Sequence, residues 1–84
     1  AFYNRGLEKH NSSNYYEAIS DYSKALEINK KYSEAYLNRS VSKSKIGDID
    51  GACKDAKKAK SLGYKSEENN NWIKENCKSR FKLF

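Results

Sequence analysis

"AYLNRS" at residues 35–40 restates "AFYNRG" at residues 1–6, and that echo decides how the chain is built. Sliding the sequence along itself by thirty-four residues pairs Ala1 with Ala35, Phe2 with Tyr36, Asn4 with Asn38, Arg5 with Arg39, Gly6 with Ser40 and Leu7 with Val41. The agreement continues downstream, where Tyr15 meets Ile49, Ala18 meets Ala52, Asp21 meets Asp55, Lys24 meets Lys58, Ala25 meets Ala59 and Ile28 meets Leu62. Likeness spread over a whole period marks a repeated structural unit, because each unit of such an array must present the same faces to its neighbours.

Each unit reads as helix, turn, helix. Tyr15, Ala18, Ile19, Tyr22, Ala25 and Leu26 fall at the spacing of one apolar helix face. The stretch "NSSN" before it, and "GDIDG" at the same place in the second unit, carry the residues of tight turns and helix N-caps. Asn29 to Tyr32 and Gly63 to Ser66 separate the units. Ser66 followed by Glu67 and Glu68 predicts a further helix start, since a serine hydroxyl accepts from free N–H groups and carboxylates suit the positive helix end. Ile73, Cys77, Phe81 and Phe84 then form one stripe, with Trp72 beside it and Lys74, Glu75 and Lys78 toward water. The expectation is an all-α α-solenoid: repeat one over 1–32, repeat two over 33–65 and a capping helix over 66–84. Five helices in one domain result, read as a fragment of a longer protein because the chain opens inside a unit.

The turn centres also predict a pair of charges. Arg5 lies eight residues before Ser13 and Asp21 eight after it, and Arg39 and Asp55 flank Gly47 in the same way. Antiparallel helices bring such positions level, so each hairpin is expected to carry an Arg-to-Asp ion pair, its stem packed on apolar neighbours.

Charged residues make up 33% of the chain and hydrophobic ones 37%, with neither Pro nor Met, which fits a water-covered helical module. No apolar run approaches the roughly 20 residues of a membrane-crossing helix. The formal charge is +6, and residues 43–84 hold eleven Lys/Arg against six Asp/Glu, compared with six against five in residues 1–42. Lys54, Lys57, Lys58 and Lys60 form a basic cluster of the sort that attracts nucleic acid, a reading held as the less favoured one beside a plain lysine-rich surface. Cys53 and Cys77 are too few for a disulfide framework. Two readings stand: buried reduced thiols, or one bridge closing a 24-residue loop. Location follows the same fork, cytoplasmic by default and an oxidising compartment with the bridge.

The period and the residues Phe2, Gly6, Tyr15, Ala18, Tyr22 and Ala25, with Tyr36, Ala52 and Ala59 in the second unit, resemble the tetratricopeptide repeat family. The segment "KKAKSLG" alone is similar to a Sel1-like repeat. Departures from the tetratricopeptide pattern are Arg5 and Arg39 in place of Leu, Lys9 and Lys43 in place of Tyr, and Lys30 and Tyr64 in place of the closing Pro. The resemblance implies that the first helices of successive units line a concave face that receives a peptide. On that basis Tyr3, Asn4, Leu7, His10, Glu34, Leu37, Asn38, Val41 and Lys45 line the groove. "LNRS" also resembles the phrase by which some members grip a chaperone C-terminus, but Tyr3 and Leu7 stand where those members carry Lys and Asn. Asn38 is therefore read as an amide for peptide backbone.

Catalytic readings fail on residue type and spacing. His10 is the only imidazole and adjoins the turn, far in sequence from either thiol. Two Cys and one His cannot supply four zinc ligands without carboxylates. "DIDG" lacks the glutamate that ends a calcium loop. The sequence thus implies no enzyme and no cofactor. It implies instead a module for another protein's segment, an acidic one given the net charge, with self-association or an architectural role as the alternative.

Overall fold

A computed structural model of the chain describes residues 1–77. Five helices follow one another: α1 (Phe2–Asn11), α2 (Tyr15–Ile28), α3 (Ser33–Lys45), α4 (Ile49–Ser61) and α5 (Glu67–Asn76). α1 and α2 form the first antiparallel hairpin, α3 and α4 the second, α2 and α3 join them, and α5 packs on α4. The thirty-four-residue offset holds in space, since α3 starts at Ser33 and α5 at Glu67.

The turns repeat as well. Ser13 and Gly47, one period apart, both take left-handed backbone, with φ of 65° and 86°. That conformation is free for glycine and disfavoured for serine. Asn14 N–H donates to Lys9 O at 2.8 Å and Asp48 N–H to Lys43 O at 2.9 Å, which closes the preceding helix in the same manner twice. Asp48 caps α4 by accepting from Gly51 N at 2.9 Å, and Ser66 caps α5 by accepting from Asn69 N at 3.1 Å. Each such cap satisfies a helix N–H that has no intrahelical partner and contributes about 1 kcal/mol.

The core is built mostly from small residues, with Tyr22 and Leu26 as its large side chains. Ala18, Ala35, Ala52, Ala56 and Ala59 are buried, and alanine lets helix backbones approach closely. Tyr22 is fully buried, and its phenol is pushed up to about 12 by burial, then by Tyr3 and Asp21. Its hydroxyl has no hydrogen-bond partner among the described residues. Gly6 makes room for that ring: a Cβ placed there would stand 2.6 Å from Tyr22 Cε1 and 2.8 Å from Cδ1.

Each hairpin is closed by a two-pronged ion pair. Arg5 donates to Asp21 through Nε at 3.0 Å and Nη2 at 2.8 Å, and Arg39 donates to Asp55 through Nε at 2.7 Å and Nη2 at 2.8 Å. Asp21 and Asp55 are each 4% exposed, but the Arg5 side chain is 53% exposed and that of Arg39 only 18%, so the second pair is the one most removed from solvent screening. The Arg5 guanidinium holds the Asp21 carboxyl below its usual range, against the upward push of burial. Lys43 adds a second cation to Asp55 at 3.0 Å, and Arg39 Nη1 donates to Ser23 Oγ on α2 at 3.0 Å. The second pair therefore fastens one hairpin to the other.

The terminal helix differs from the expected stripe. α5 ends at Asn76, and Cys77 is its C-cap, donating its N–H to Ile73 O at 2.8 Å. Its buried residue is Asn69, whose Nδ2 donates to Ala56 O at 3.2 Å, while Ile73 and Cys77 are half-buried. Lys78, Phe81 and Phe84 lie outside the described residues. The sulfurs of Cys53 on α4 and Cys77 stand at disulfide-bond distance with their Cα atoms 5.6 Å apart, so of the two readings the bridged geometry is the one present. A cross-link over this separation contributes roughly 3 kcal/mol in the chain-entropy account.

Gly6→Ala is expected to destabilise the fold by roughly 1–3 kcal/mol, because a buried ring has to shift to admit one methyl group. Thermal unfolding followed by circular dichroism checks it. An unchanged midpoint would mean that Gly6 and Tyr22 are not packed as described.

Candidate functional site

The residues expected in one groove are distributed over three places. Leu37, Val41 and Lys45 of α3 face Tyr64, Ser66, Glu68, Asn69 and Trp72 across a cavity of about 440 Å³. This cavity exists because α5 leans on α4 and stands apart from α3. Ser40 and Ser44 complete its α3 wall.

A second group bridges α1 and α3. Asn38 Nδ2 donates to the Tyr3 hydroxyl at 2.7 Å, and the Tyr3 ring lies 4.7 Å from that of Tyr32 and 5.8 Å from that of Tyr22. Burial, followed by Tyr32 and Glu34, raises the Tyr3 phenol pKa. One N–H of Asn38 is thus committed inside the protein, which leaves its second N–H and its Oδ1 for a guest backbone. The physical reason is that Tyr3 reaches across from the neighbouring unit and presents an acceptor at hydrogen-bond distance.

His10 is also part of this bridge. Its Nδ1 shares a hydrogen bond of 2.9 Å with the hydroxyl of Ser42, which is fully buried, and its ring packs edge-on against Tyr15 at 5.1 Å. Desolvation, then the nearby Lys45 charge, lowers its pKa. Leu7 is half-buried, and Glu34 is exposed and accepts from the Ser33 hydroxyl at 3.1 Å.

Asn4 belongs to a third place, a recess at the outer edge of the first hairpin that it shares with Phe2, Tyr3, Ala25, Ile28 and Tyr32. It does not reach the cavity beside α5. Asn4 and Asn38, although one period apart in sequence, therefore have different surroundings: Asn38 meets Tyr3 of the first unit, and Asn4 lines the recess.

Tyr64, Ser66, Glu68, Asn69 and Trp72 were not among the expected groove residues. A third application of the offset locates four of them: Ser66, Glu68, Asn69 and Trp72 stand thirty-four residues after Tyr32, Glu34, Ala35 and Asn38. α5 starts one thirty-four-residue period after α3.

Among the described residues no group of three His, Cys, Asp or Glu side chains is placed to hold a metal ion, and no helix is long and apolar enough to cross a membrane. Lys54, Lys57, Lys58 and Lys60 are exposed along α4, on a different helix from the cavity's α3 wall.

Helical hairpins stacked in register, with a cleft beside the first helices, define a helical-repeat protein. Residues 1–32 match the tetratricopeptide repeat family, and the five-helix architecture of stacked hairpins is consistent with a helical repeat of that kind. Repeats of this kind mediate protein–protein interaction or scaffolding and are typically not enzymes. No curated protein matches the chain.

A depressed imidazole pKa means that the unfolded chain binds the proton more readily than the folded one. Stability should therefore fall as the pH drops below His10's ordinary value of 6.5. In an NMR titration the His10 ring is expected to change charge below that value in the folded protein, and His10→Gln should remove this part of the pH dependence of unfolding. A midpoint at or above the ordinary value would contradict the half-buried placement.

Proposed function

We propose that the cavity between α3 and α5 receives a segment of another protein, and that the protein acts by binding alone. The single observation that carries this reading is the cavity's composition: Leu37 and Val41 on one wall and Tyr64 and Trp72 on the other offer apolar contact, with Lys45 on the α3 wall and Glu68 on the α5 wall as its charges. Apolar anchors supply most of the affinity in such grooves, while charges set orientation and the rate of encounter. The net charge of +6 favours an acidic segment. Tyr3, Asn38 and His10 enter this reading as supports that fix α3 against α1, and Leu7, Glu34 and Asn4 take no direct part.

Peptide display on the protein tests it. Selected sequences are expected to be acidic and to bind Leu37→Glu/Lys45→Glu at least roughly tenfold more weakly, the scale of one lost apolar anchor together with a reversed charge. Selected peptides that bind this variant as well as the original would overturn the reading.

A second reading, self-association, rests on the recess at the outer edge of the first hairpin. Phe2, Tyr32 and Ile28, the last 76% exposed, present an apolar face there. Sedimentation should then show mass rising with concentration, and Ile28→Lys should hold the protein monomeric. A single species of monomer mass at all concentrations would reject self-association and leave the groove reading in place.

A further inference from the structure

We infer that the cavity beside α5 takes an aromatic side chain from the bound segment, in the space that the first unit fills with a ring of its own. This deepens the groove reading and rests on it. At the junction of the first unit with α3, Tyr22 is fully buried against Gly6 and lies 5.8 Å from the Tyr3 ring, which in turn lies 4.7 Å from Tyr32. Three rings therefore fill that junction, at separations typical of favourable aromatic pairs. Thirty-four residues on, Tyr22 is replaced by Ala56, Tyr3 by Leu37, Tyr32 by Ser66 and Gly6 by Ser40.

The second junction has thus lost all three rings, and Ser40 gives back only a hydroxymethyl group. Three of these replacements, Leu37, Ser40 and Ser66, line the cavity. Asn69, which donates to the Ala56 carbonyl at 3.2 Å, lines it as well. The opening lies at the second junction, where α5 stands apart from α3, and three of the four replacing residues line it while Ala56 is buried behind Asn69. Its volume of about 440 Å³ is in the range of small-ligand pockets.

The remaining walls suit a ring better than an aliphatic chain. Trp72 and Tyr64 supply aromatic surface for offset or edge contacts. Ser40 donates to Ala52 O at 2.7 Å and Ser44 to Val41 O at 2.7 Å, so both hydroxyl oxygens keep lone pairs for a guest phenol. Lys45 suits carboxylates flanking the ring.

Trp72 is the only tryptophan of the chain, so its fluorescence reports directly on the cavity. The probes are three decapeptides of one acidic sequence with a central Tyr, Phe or Ala. The Tyr and Phe peptides are expected to bind at least roughly tenfold more tightly than the Ala peptide and to shift the Trp72 emission. Ala56→Tyr, which restores the missing ring from within, is expected to abolish that preference while circular dichroism shows the helices intact. Should Ala56→Tyr fail to fold, Leu37→Tyr, which returns the Tyr3 ring at a half-buried site, serves the same purpose.

Binding of the Ala peptide within twofold of the Tyr peptide, with Lys45→Glu still weakening both, would overturn the ring inference and leave the groove reading standing. Absence of binding by any of the three peptides would overturn both. Binding that emerges only in Phe81→Ser/Phe84→Ser would give the cavity to the chain's own aromatic residues and overturn assignment to a partner.

Discussion

Two carboxylates taken out of water hold this fold in register. Asp21 and Asp55 are 4% exposed, and a buried carboxylate without a cation is costly enough that the chain must either supply one or lose the fold. The facing helix supplies it each time, from eight residues before the turn, and the guanidinium prongs match the two oxygens. A one-residue slip of either hairpin would leave both charges unmet. The pairs thus act less as added stability than as a penalty on every other register. Arg39 extends the constraint beyond its own hairpin by reaching Ser23, so the register of one unit is linked to the placement of the next.

With backbones fixed in this way, the two junctions can differ in filling without differing in frame. Around α1 and α2 a large ring faces a glycine, and Tyr32, at the end of the first unit, lies on the same cluster. Around α3 and α4 the corresponding positions are small or aliphatic, yet the helix directions, the turns and the ion pair are retained. α5 contributes Asn69 in place of the alanine that α3 uses at the equivalent position, and its amide bond to Ala56 O fixes the helix on α4. That contact sits on α4's side, so the helix has nothing to draw it toward α3. The cleft is the outcome.

The sequence makes the frame readable and the contents of the cleft much less so. Helix order, the turns at Ser13 and Gly47 and the level placement of Arg5 with Asp21 depend on spacing, and spacing is visible in a single chain. Asn38 and His10 show the limit. Both stand on faces where a guest could lie, and nothing local says that Tyr3 and Ser42 already hold them, because those partners come from the other unit at separations of 35 and 32 residues. Trp72 illustrates a different failure: it stands one offset after Asn38, but the two positions share no residue identity, so the likeness of α5 to α3 is not visible residue by residue. Burial of Asn69 was equally hidden, since an amide inside a helix gains its place only through a carbonyl left accessible by Ala56.

The tie between Cys53 and Cys77 gives α5 a mechanical character that the other helices do not share. It is tied near its start by the Asn69 amide, which donates to Ala56 O on α4, and at its finish by a covalent link, so the wall it forms is held at both ends like a beam and not hinged like a flap. A guest entering beside such a wall meets a surface already set in place, and the entropy of ordering that wall is spent during folding instead of at association. Reductive opening of the link would free one end of the beam, so the surroundings' redox state would tune how stiffly the cleft meets whatever enters it.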